Sequence, residues 1–279
     1  MARTTIFTLL VAFLALGLSI TARAADLDPT APSVALGSDY FATVPGTHFN
    51  FGGTIGDVSL MGLPIGPFDT DTIVQRQADA IIGGPAIPIQ IVALSLKSTA
   101  PVFVGGNFFD VFVTLDPANL ANDTGSLAVT GTQAGGLFTS NLNVFFDAHF
   151  AQVGGGAVFD VFNNISLTNS GAPWGPTPTP GALLVNGPDD GTTSDQNANF
   201  HSGLKSGACT PTAPSTPCEV DFFLNSGPSG GNPNQPFVEG NGTNEAHFAI
   251  EAQTPEPASL FLLGSALLAL GLRLKLRRA

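Results

Sequence analysis

Short runs of β-branched and aromatic residues, each ended by glycine or proline, make up most of this chain. The 33 glycines and 22 prolines separate segments that are rich in Val, Ile, Phe and Thr, and almost no segment repeats its apolar residues with the helical period. Glycine and proline favour turns, whereas β-branched and aromatic residues favour strands. The pattern predicts an all-β body, which we expect to be an antiparallel β-sandwich of the jelly-roll type.

A near-repeat indicates three of the expected strands. GGNFFDVF at 105–112 recurs as GGAVFDVF at 155–162, and VFFDA at 144–148 is a partial copy. Two copies and a fragment are too few for a solenoid or propeller, so we interpret them as equivalent strands that each follow a glycine turn. The apolar positions that alternate along them are Phe109, Val111, Val113 and Leu115, then Leu142, Val144, Phe146, Ala148 and Phe150, and then Phe159, Val161, Ile165 and Leu167.

The opposite faces of these segments carry Asp110, Asp147 and Asp160. Segments 142–150 and 158–167 can form a hairpin. Their apolar residues have even numbers in the first segment and odd numbers in the second, so the numbers of two paired residues must add up to an odd sum if both apolar faces are to lie on the same side. The register with sum 307 places Asp147 directly opposite Asp160. Like charges there are destabilising unless water or a cation lies between them. Solvation is the simpler expectation, and a calcium site is the alternative.

The segment after residue 170 is more polar. The proline-rich composition of residues 171–180 predicts a stiff connector. The loop that follows carries Asp189, Asp190 and Asp195, which are further calcium candidates although the spacing is not that of an EF-hand. Later strands are expected at 219–224 and 244–252, completing one body over residues 25–252.

The charge of the body limits its partners. All 21 acidic residues lie between Asp26 and Glu256, where Arg76, Lys97 and Lys205 are the bases, so the net charge of this stretch is −18. Such a surface repels nucleic acid and anionic lipid, which leaves neutral polymers, cations or basic surfaces as partners. The two cysteines, Cys209 and Cys218, are expected to pair as a disulfide in an oxidising compartment.

The N-terminus predicts export. Arg3 precedes an apolar run over 6–20, and Ala22 and Ala24 supply the small residues of a signal-peptidase site. Cleavage after Ala24 makes residues 1–24 a signal peptide and Ala25 the first residue of the mature chain.

The C-terminus combines three elements in a fixed order: Pro255-Glu256-Pro257, an uncharged apolar run over 258–272, and the basic residues Arg273, Lys275, Arg277 and Arg278. The run predicts a short transmembrane helix whose basic end stays cytoplasmic. Residues 253–279 resemble the PEP-CTERM sorting domain of exported bacterial proteins. The resemblance implies that an exosortase recognises Pro-Glu-Pro and removes the helix, so the chain contacts the inner membrane transiently. It also implies an association with exopolysaccharide and biofilm matrix.

Catalytic templates do not match this sequence. The four histidines are scattered, and the glycine-rich pieces lack the lysine of a phosphate loop. The Gly-x-Ser-x-Gly spacing occurs once, at 227–231, without the helical pattern that follows a nucleophile elbow. We therefore expect a non-enzymatic envelope or matrix protein that needs no cofactor. The alternative is a carbohydrate-binding module, assisted by calcium, in which Trp174, Tyr40 or exposed phenylalanines stack on sugar rings. A glycan hydrolase is a weaker alternative.

Overall fold

The computed structural model describes residues 33–34, 36–65, 69–132, 134–175, 219–220, 222–224, 236–241 and 244–253. Within these ranges the chain is all-β, as predicted, with one 3-10 turn at Leu120–Asn122 and no α-helix. The described part of the chain contains no helix that is long and apolar enough to cross a membrane. The strands are β1 Ser33–Val34, β2 Gly37–Thr43, β3 His48–Asn50, β4 Asp57–Gly62, β5 Thr72–Arg76, β6 Ala80–Ile81, β7 Ile87–Ser98, β8 Val102–Val104, β9 Asn107–Leu115, β10 Thr124–Thr132, β11 Gly135–Gln152, β12 Val158–Gly175, β13 Glu219–Val220, β14 Phe223–Leu224, β15 Phe237–Gly240 and β16 Ala246–Glu251.

Thirteen strands form one antiparallel sheet whose order follows the chain. The positions across the sheet are β14, β12, β11, β10/β9, β7, β5/β4, β2/β3, β16 and β15, and β8 pairs with β9. A slash marks two strands that share a single, interrupted position of the sheet. The described strands therefore form a meander, not the Greek-key order of the expected jelly roll. The reason is local, because short glycine-rich turns join β3 to β4, β8 to β9 and β11 to β12, and such turns connect adjacent antiparallel strands.

The large sheet curls so that strands distant in its order meet across the interior. The rings of Phe49 on β3 and Phe146 on β11 are 4.8 Å apart, and those of Phe138 on β11 and Phe237 on β15 are 5.2 Å apart. β12 lies beside β15 with no ladder pairing between these two described strands. The predicted apolar faces of β9 and β11 are confirmed, since each of their members is at most 7% exposed.

The two interrupted positions that flank β7 each contain an aspartate in the gap between their two strands. Asp71 lies between β4 and β5, and Asp123 lies between β9 and β10. The carbonyl of Asp71 accepts a hydrogen bond from Ser95 N, and the carbonyl of Asp123 accepts one from Ile91 N. Their carboxylates accept hydrogen bonds from backbone N–H groups one strand further out, Thr43 N for Asp71 and Phe145 N for Asp123. Each carboxylate thereby satisfies a donor that the strand break leaves without a ladder partner.

The up-and-down order gives the sheet two distinct ends. We call the end that carries the β3–β4, β8–β9, β11–β12 and β15–β16 turns the hairpin end. The opposite end, which we call the terminal end, contains Leu36 before β2, Gln253 after β16, the turn at 77–86, and the end of β10, where Thr132 pairs with Gly135 of β11. The three-stranded sheet of β13, β1 and β6 also belongs to the terminal end.

The first half of the predicted proline-rich connector is a strand instead. Residues 171–175 belong to β12, where Pro173 pairs with Leu137 and Trp174 pairs with both Gly136 and Leu224. Gly171 has φ 149°, beside the register irregularity at Phe138–Ser140. The burial of Trp174 holds this segment in the sheet, and an irregular strand near an edge accommodates a proline. Residues 176–180 lie outside the described ranges.

Candidate functional site

A polar cluster lies inside the curled sheet, next to an apolar cavity of about 50 Å³. Leu96, Phe146 and Ile165 are among the apolar lining residues, and His247 of β16 contributes a polar edge. A second void of about 10 Å³ lies between His247 and Glu239 of β15. The smaller void is about the size of one water, and the larger one is far below the usual volume of a small-molecule site.

His247, Thr43 and Asp71 form a hydrogen-bonded line. The Thr43 hydroxyl donates to Asp71 Oδ1 at 2.8 Å and lies 2.8 Å from His247 Nε2. Because the hydroxyl has one proton to donate, His247 Nε2 must donate to Thr43. Burial lowers the pKa of His247 to about 4, and it raises the pKa of Asp71 against the opposing effect of its hydrogen bonds with Thr43 and Thr72. The imidazole is therefore neutral at physiological pH.

Glu239 faces the same interior. It lies directly opposite His247 in the β15–β16 ladder, and its carboxyl group accepts a hydrogen bond from the Ser140 hydroxyl of β11. Burial raises the pKa of Glu239 to about 7, partly opposed by this hydrogen bond. The Glu239–Ser140 contact joins β15 to β11 across the core.

The order of groups in this cluster does not match that of a nucleophilic triad. In a triad the imidazole lies between the hydroxyl and the carboxylate, so that it can take the hydroxyl proton. Here the hydroxyl of Thr43 lies between His247 and Asp71, and it already donates its proton to the carboxylate. The arrangement satisfies buried polar groups and joins β2, β5 and β16.

Arg76, one of the three bases between Asp26 and Glu256, pairs with Asp39. Arg76 Nη1 lies 2.5 Å from both carboxylate oxygens of Asp39, and its guanidinium lies 5.0 Å from the centre of the Phe222 ring. Both charged side chains are buried. Burial raises the pKa of Asp39, although the Arg76 charge opposes this effect. The pair joins β2 to β5 at the terminal end.

The prediction that Asp147 lies opposite Asp160 is wrong, because the observed register of β11 and β12 is shifted by two residues from the predicted one. β11 and β12 pair with a sum of 309, so Asp147 lies opposite Phe162, and His149 lies opposite Asp160. Both registers match the apolar faces, so the turn decides between them. Gln152 N donates to the carbonyl of Ala157, and the Gln152 side chain accepts from Ala157 N. The resulting pair places His149 Nδ1 2.6 Å from Asp160 Oδ1 in place of two opposed carboxylates.

Asp147 is nevertheless affected by its surroundings. Its pKa is raised by burial and by the Asp160 charge, and His149 lowers it in part. Among the described residues, no three acidic, histidine or cysteine side chains are grouped in a way that could hold a metal ion. Asp189, Asp190 and Asp195 lie outside the described ranges, as do Cys209 and Cys218, so calcium and the disulfide stay predictions there.

The outer face of β8, β9 and β12 exposes phenylalanine side chains. Phe103, Phe108 and Phe162 are 57%, 56% and 62% exposed, and the rings of Phe103 and Phe108 are 5.2 Å apart. Asp110 and Asp160 lie on the same side of the sheet. We call these five residues the aromatic–acidic face. The sequence pattern offered exposed phenylalanines as one possible sugar-binding surface but did not identify which ones are exposed.

Trp174 does not provide a sugar-stacking surface. Its side chain is fully buried, its Nε1 donates to the carbonyl of Thr130, and its ring lies 5.3 Å from that of Phe222. Tyr40 is partly buried. An open groove of about 520 Å³ lies where β12 approaches β15 and β16, and backbone-rich segment 168–173 forms one of its walls.

The described sheet ends where the C-terminal signal begins. β16 ends at Glu251, Ala252 N donates to the carbonyl of Tyr40, and Pro255-Glu256-Pro257 follows. The class is thus an all-β body that carries a C-terminal sorting tail. The family model of the PEP-CTERM protein-sorting motif matches residues 253–278. This confirms the predicted recognition of the tail, and the motif implies an exported protein that an exosortase-type enzyme processes. Neither curated proteins nor solved structures show a match to the chain.

Two further kinds of predicted site residue remain untested by the structure. The signal-cleavage residues Ala22, Ala24 and Ala25 and the basic residues Arg273, Lys275, Arg277 and Arg278 lie outside the described ranges. Conversely, sequence reasoning missed Asp39, Glu239 and His247. Their only signal was a charged or polar side chain at an inward position of a strand, and β15 itself was not predicted.

Proposed function

We propose that the protein is a non-enzymatic component of the cell envelope or extracellular matrix, delivered by exosortase-type processing of its tail. One observation carries the proposal: the sorting-motif match begins at residue 253, directly after the last strand. The signal peptide over 1–24 provides the route across the inner membrane. The tail then holds the chain there until it is removed.

The position of the tail relative to the sheet supports its removal from a folded body. β16 pairs with β2 and β3 on one side and with β15 on the other, so every described strand precedes the Pro-Glu-Pro element. Removal of the tail therefore leaves the described sheet complete. The reversed order of His247, Thr43 and Asp71 favours a structural role for the interior polar groups and supports a non-enzymatic body.

Intact-mass analysis of the native protein tests the proposal. We expect a species in the extracellular polysaccharide fraction that begins at Ala25 and ends near Pro255. A triple variant, with Pro255, Glu256 and Pro257 each replaced by Ala, should keep its tail and remain in the membrane fraction. A native protein found only in membranes with its tail intact would contradict matrix delivery.

Carbohydrate binding is a second candidate function, and the aromatic–acidic face favours it. Exposed phenyl rings beside carboxylates offer an apolar surface for sugar C–H groups and acceptors for sugar hydroxyls. The test is retention on insoluble polysaccharides with and without a calcium chelator. Phe108→Ala combined with Phe162→Ala should abolish retention, whereas Leu120→Ala, at another exposed apolar residue, should not. If both variants were retained equally, the aromatic–acidic face would be excluded as the carbohydrate-binding surface.

A further inference from the structure

Both ends of the described body leave the sheet on the same side. Leu36 and Gln253 lie at the terminal end, where β2 begins and β16 finishes antiparallel to it. The hydrogen bond from Ala252 N to the carbonyl of Tyr40 keeps the end of β16 in the sheet. The signal peptide and the sorting tail are therefore attached at one end of the molecule.

The connection between the sheet and the apolar run is short. Residues 254–257 separate Gln253 from Ala258, so a fully extended connection spans about 18 Å. β11, with its 18 residues, runs from the terminal end to the hairpin end and is about 60 Å long when extended. The tail can hold the terminal end close to a membrane, while the hairpin end lies several times farther away in an upright molecule.

Among the described residues, exposed carboxylates are distributed unequally between the two ends. Of the described acidic residues, Asp57, Asp69, Asp110 and Asp160 are exposed, and all but Asp69 belong to the hairpin half of the sheet. At the terminal end, Asp39 and Arg76 neutralise each other in the interior, and Asp79 accepts a hydrogen bond from Leu36 N. An anionic lipid surface repels exposed carboxylates and therefore disfavours contact with the hairpin half.

The terminal end exposes aliphatic side chains, as the hairpin end does at Val153 and Val158, but without the exposed carboxylate that accompanies Val158 at Asp160. Ile81 of β6 and Leu137 near the start of β11 are 54% and 50% exposed. Gln77, in the adjoining turn, is exposed and uncharged. Aliphatic and uncharged polar groups are compatible with the interfacial region of a bilayer, where no charge has to be desolvated.

We propose that, before processing, the body stands on a phospholipid bilayer through its terminal end, with the hairpin end and the aromatic–acidic face directed away from the membrane. This inference rests on the proposed function, since it requires the tail to hold the chain in the membrane. The lipid contact is made by the 77–86 turn and by Ile81 and Leu137. The outward direction of the hairpin end leaves the aromatic–acidic face accessible to extracellular partners.

Depth-dependent fluorescence quenching tests this orientation. The full chain, with Cys209→Ser and Cys218→Ser, receives one fluorophore through either Gln77→Cys or Thr54→Cys, which are exposed positions at the terminal and hairpin ends. The labelled chains are reconstituted into phosphatidylcholine–phosphatidylglycerol vesicles that contain a headgroup-spin-labelled lipid. We expect quenching at position 77 to exceed that at position 54 severalfold. Equal quenching would indicate a body lying on its side, and stronger quenching at position 54 an inverted one, so either result would overturn the proposal.

Two controls separate this inference from the proposed function. A chain that ends at Gln253 should not float with the vesicles, whereas the full chain should. If the full chain does not float either, membrane retention through the tail is wrong and the orientation falls with it. Hydrogen exchange on the unlabelled full chain repeats the test without substitutions. Vesicle binding should slow exchange in the 77–86 turn and leave the 51–56 turn unchanged, and the reverse pattern would refute the orientation.

Discussion

Glu239 and His247 face each other in the β15–β16 ladder, and burial favours the neutral form of both. The folded state keeps the Glu239 proton up to about pH 7, so its stabilising contribution is full below about 4.5 and is lost as the pH rises through 7. The folded state keeps His247 neutral down to about pH 4. Its contribution is full above about 6.5 and is lost as the pH falls through 4. The two effects oppose each other between pH 4.5 and 6.5.

Substituting either residue should remove its own contribution to the pH dependence of the unfolding free energy. Relative to the native chain, the free energy of unfolding of Glu239→Gln should increase between pH 4.5 and 7, and that of His247→Gln should decrease between pH 4 and 6.5. Each slope is at most about 1.4 kcal/mol per pH unit, the value for one proton. Urea unfolding of the full chain in detergent, followed by circular dichroism, measures both. Differences from the native chain that do not vary with pH would contradict the assigned pKa shifts.

Gly62 leaves the space that the Asp71 carboxylate occupies. A Cβ atom at position 62 would lie 1.8 Å from Asp71 Oδ2, so Gly62→Ala must displace a buried, hydrogen-bonded carboxylate. We expect a loss of about 2–4 kcal/mol in the free energy of unfolding. In an Asp71→Ala background the same Gly62→Ala substitution should cost less than half as much, because the clash is gone. Equal costs in both backgrounds, measured by urea unfolding, would argue against this contact.

At the level of strands, the β11–β12 register is the clearest point to test. In the observed register His149→Cys and Asp160→Cys are directly opposite, within the range that a disulfide bridges, whereas Asp147→Cys and Asp160→Cys are diagonal neighbours. With Cys209 and Cys218 replaced by Ser, mild oxidation should close the 149–160 pair, and the 147–160 pair should react much more slowly. Peptide mapping by mass spectrometry identifies the bond. If the disulfide between positions 147 and 160 formed faster, the register with sum 307 would be correct and the observed register would be wrong.

The local pattern predicted which side of each strand is buried, and the structure explains why it could not predict the register. Side chains alternate with a period of two, so Phe146 and Ala148 face inward whichever odd sum pairs the strands. The step between sums of 307 and 309 depends on the turn after Gln152 and on the His149–Asp160 contact. Several glycines in that turn permit more than one geometry, so the sequence pattern alone leaves both registers open.

At the level of the whole molecule, the last strand closes the sheet. β16 lies between β15 on one side and β2 with β3 on the other, and the described strands do not include any residue of the matched motif beyond Gln253. We expect residues 25–253 to fold without the tail and to give a β-type circular dichroism spectrum with a cooperative thermal transition. A chain ending at residue 245, which lacks β16, should not show that transition. A tail-less body without β-type circular dichroism would contradict the independence of body and signal.

The sequence by itself determined the all-β class, the inward faces of β9 and β11, and the sorting tail over residues 253–278, because each depends on a pattern within a short stretch of chain. The tertiary structure decided the meander order, the burial of Trp174 and the interior polar groups. Ser140 meets Glu239 across 99 residues, and Thr43 meets His247 across 204. Such contacts exist only after the sheet has curled on itself. They depend on which strands become neighbours, and local periodicity carries no information about that.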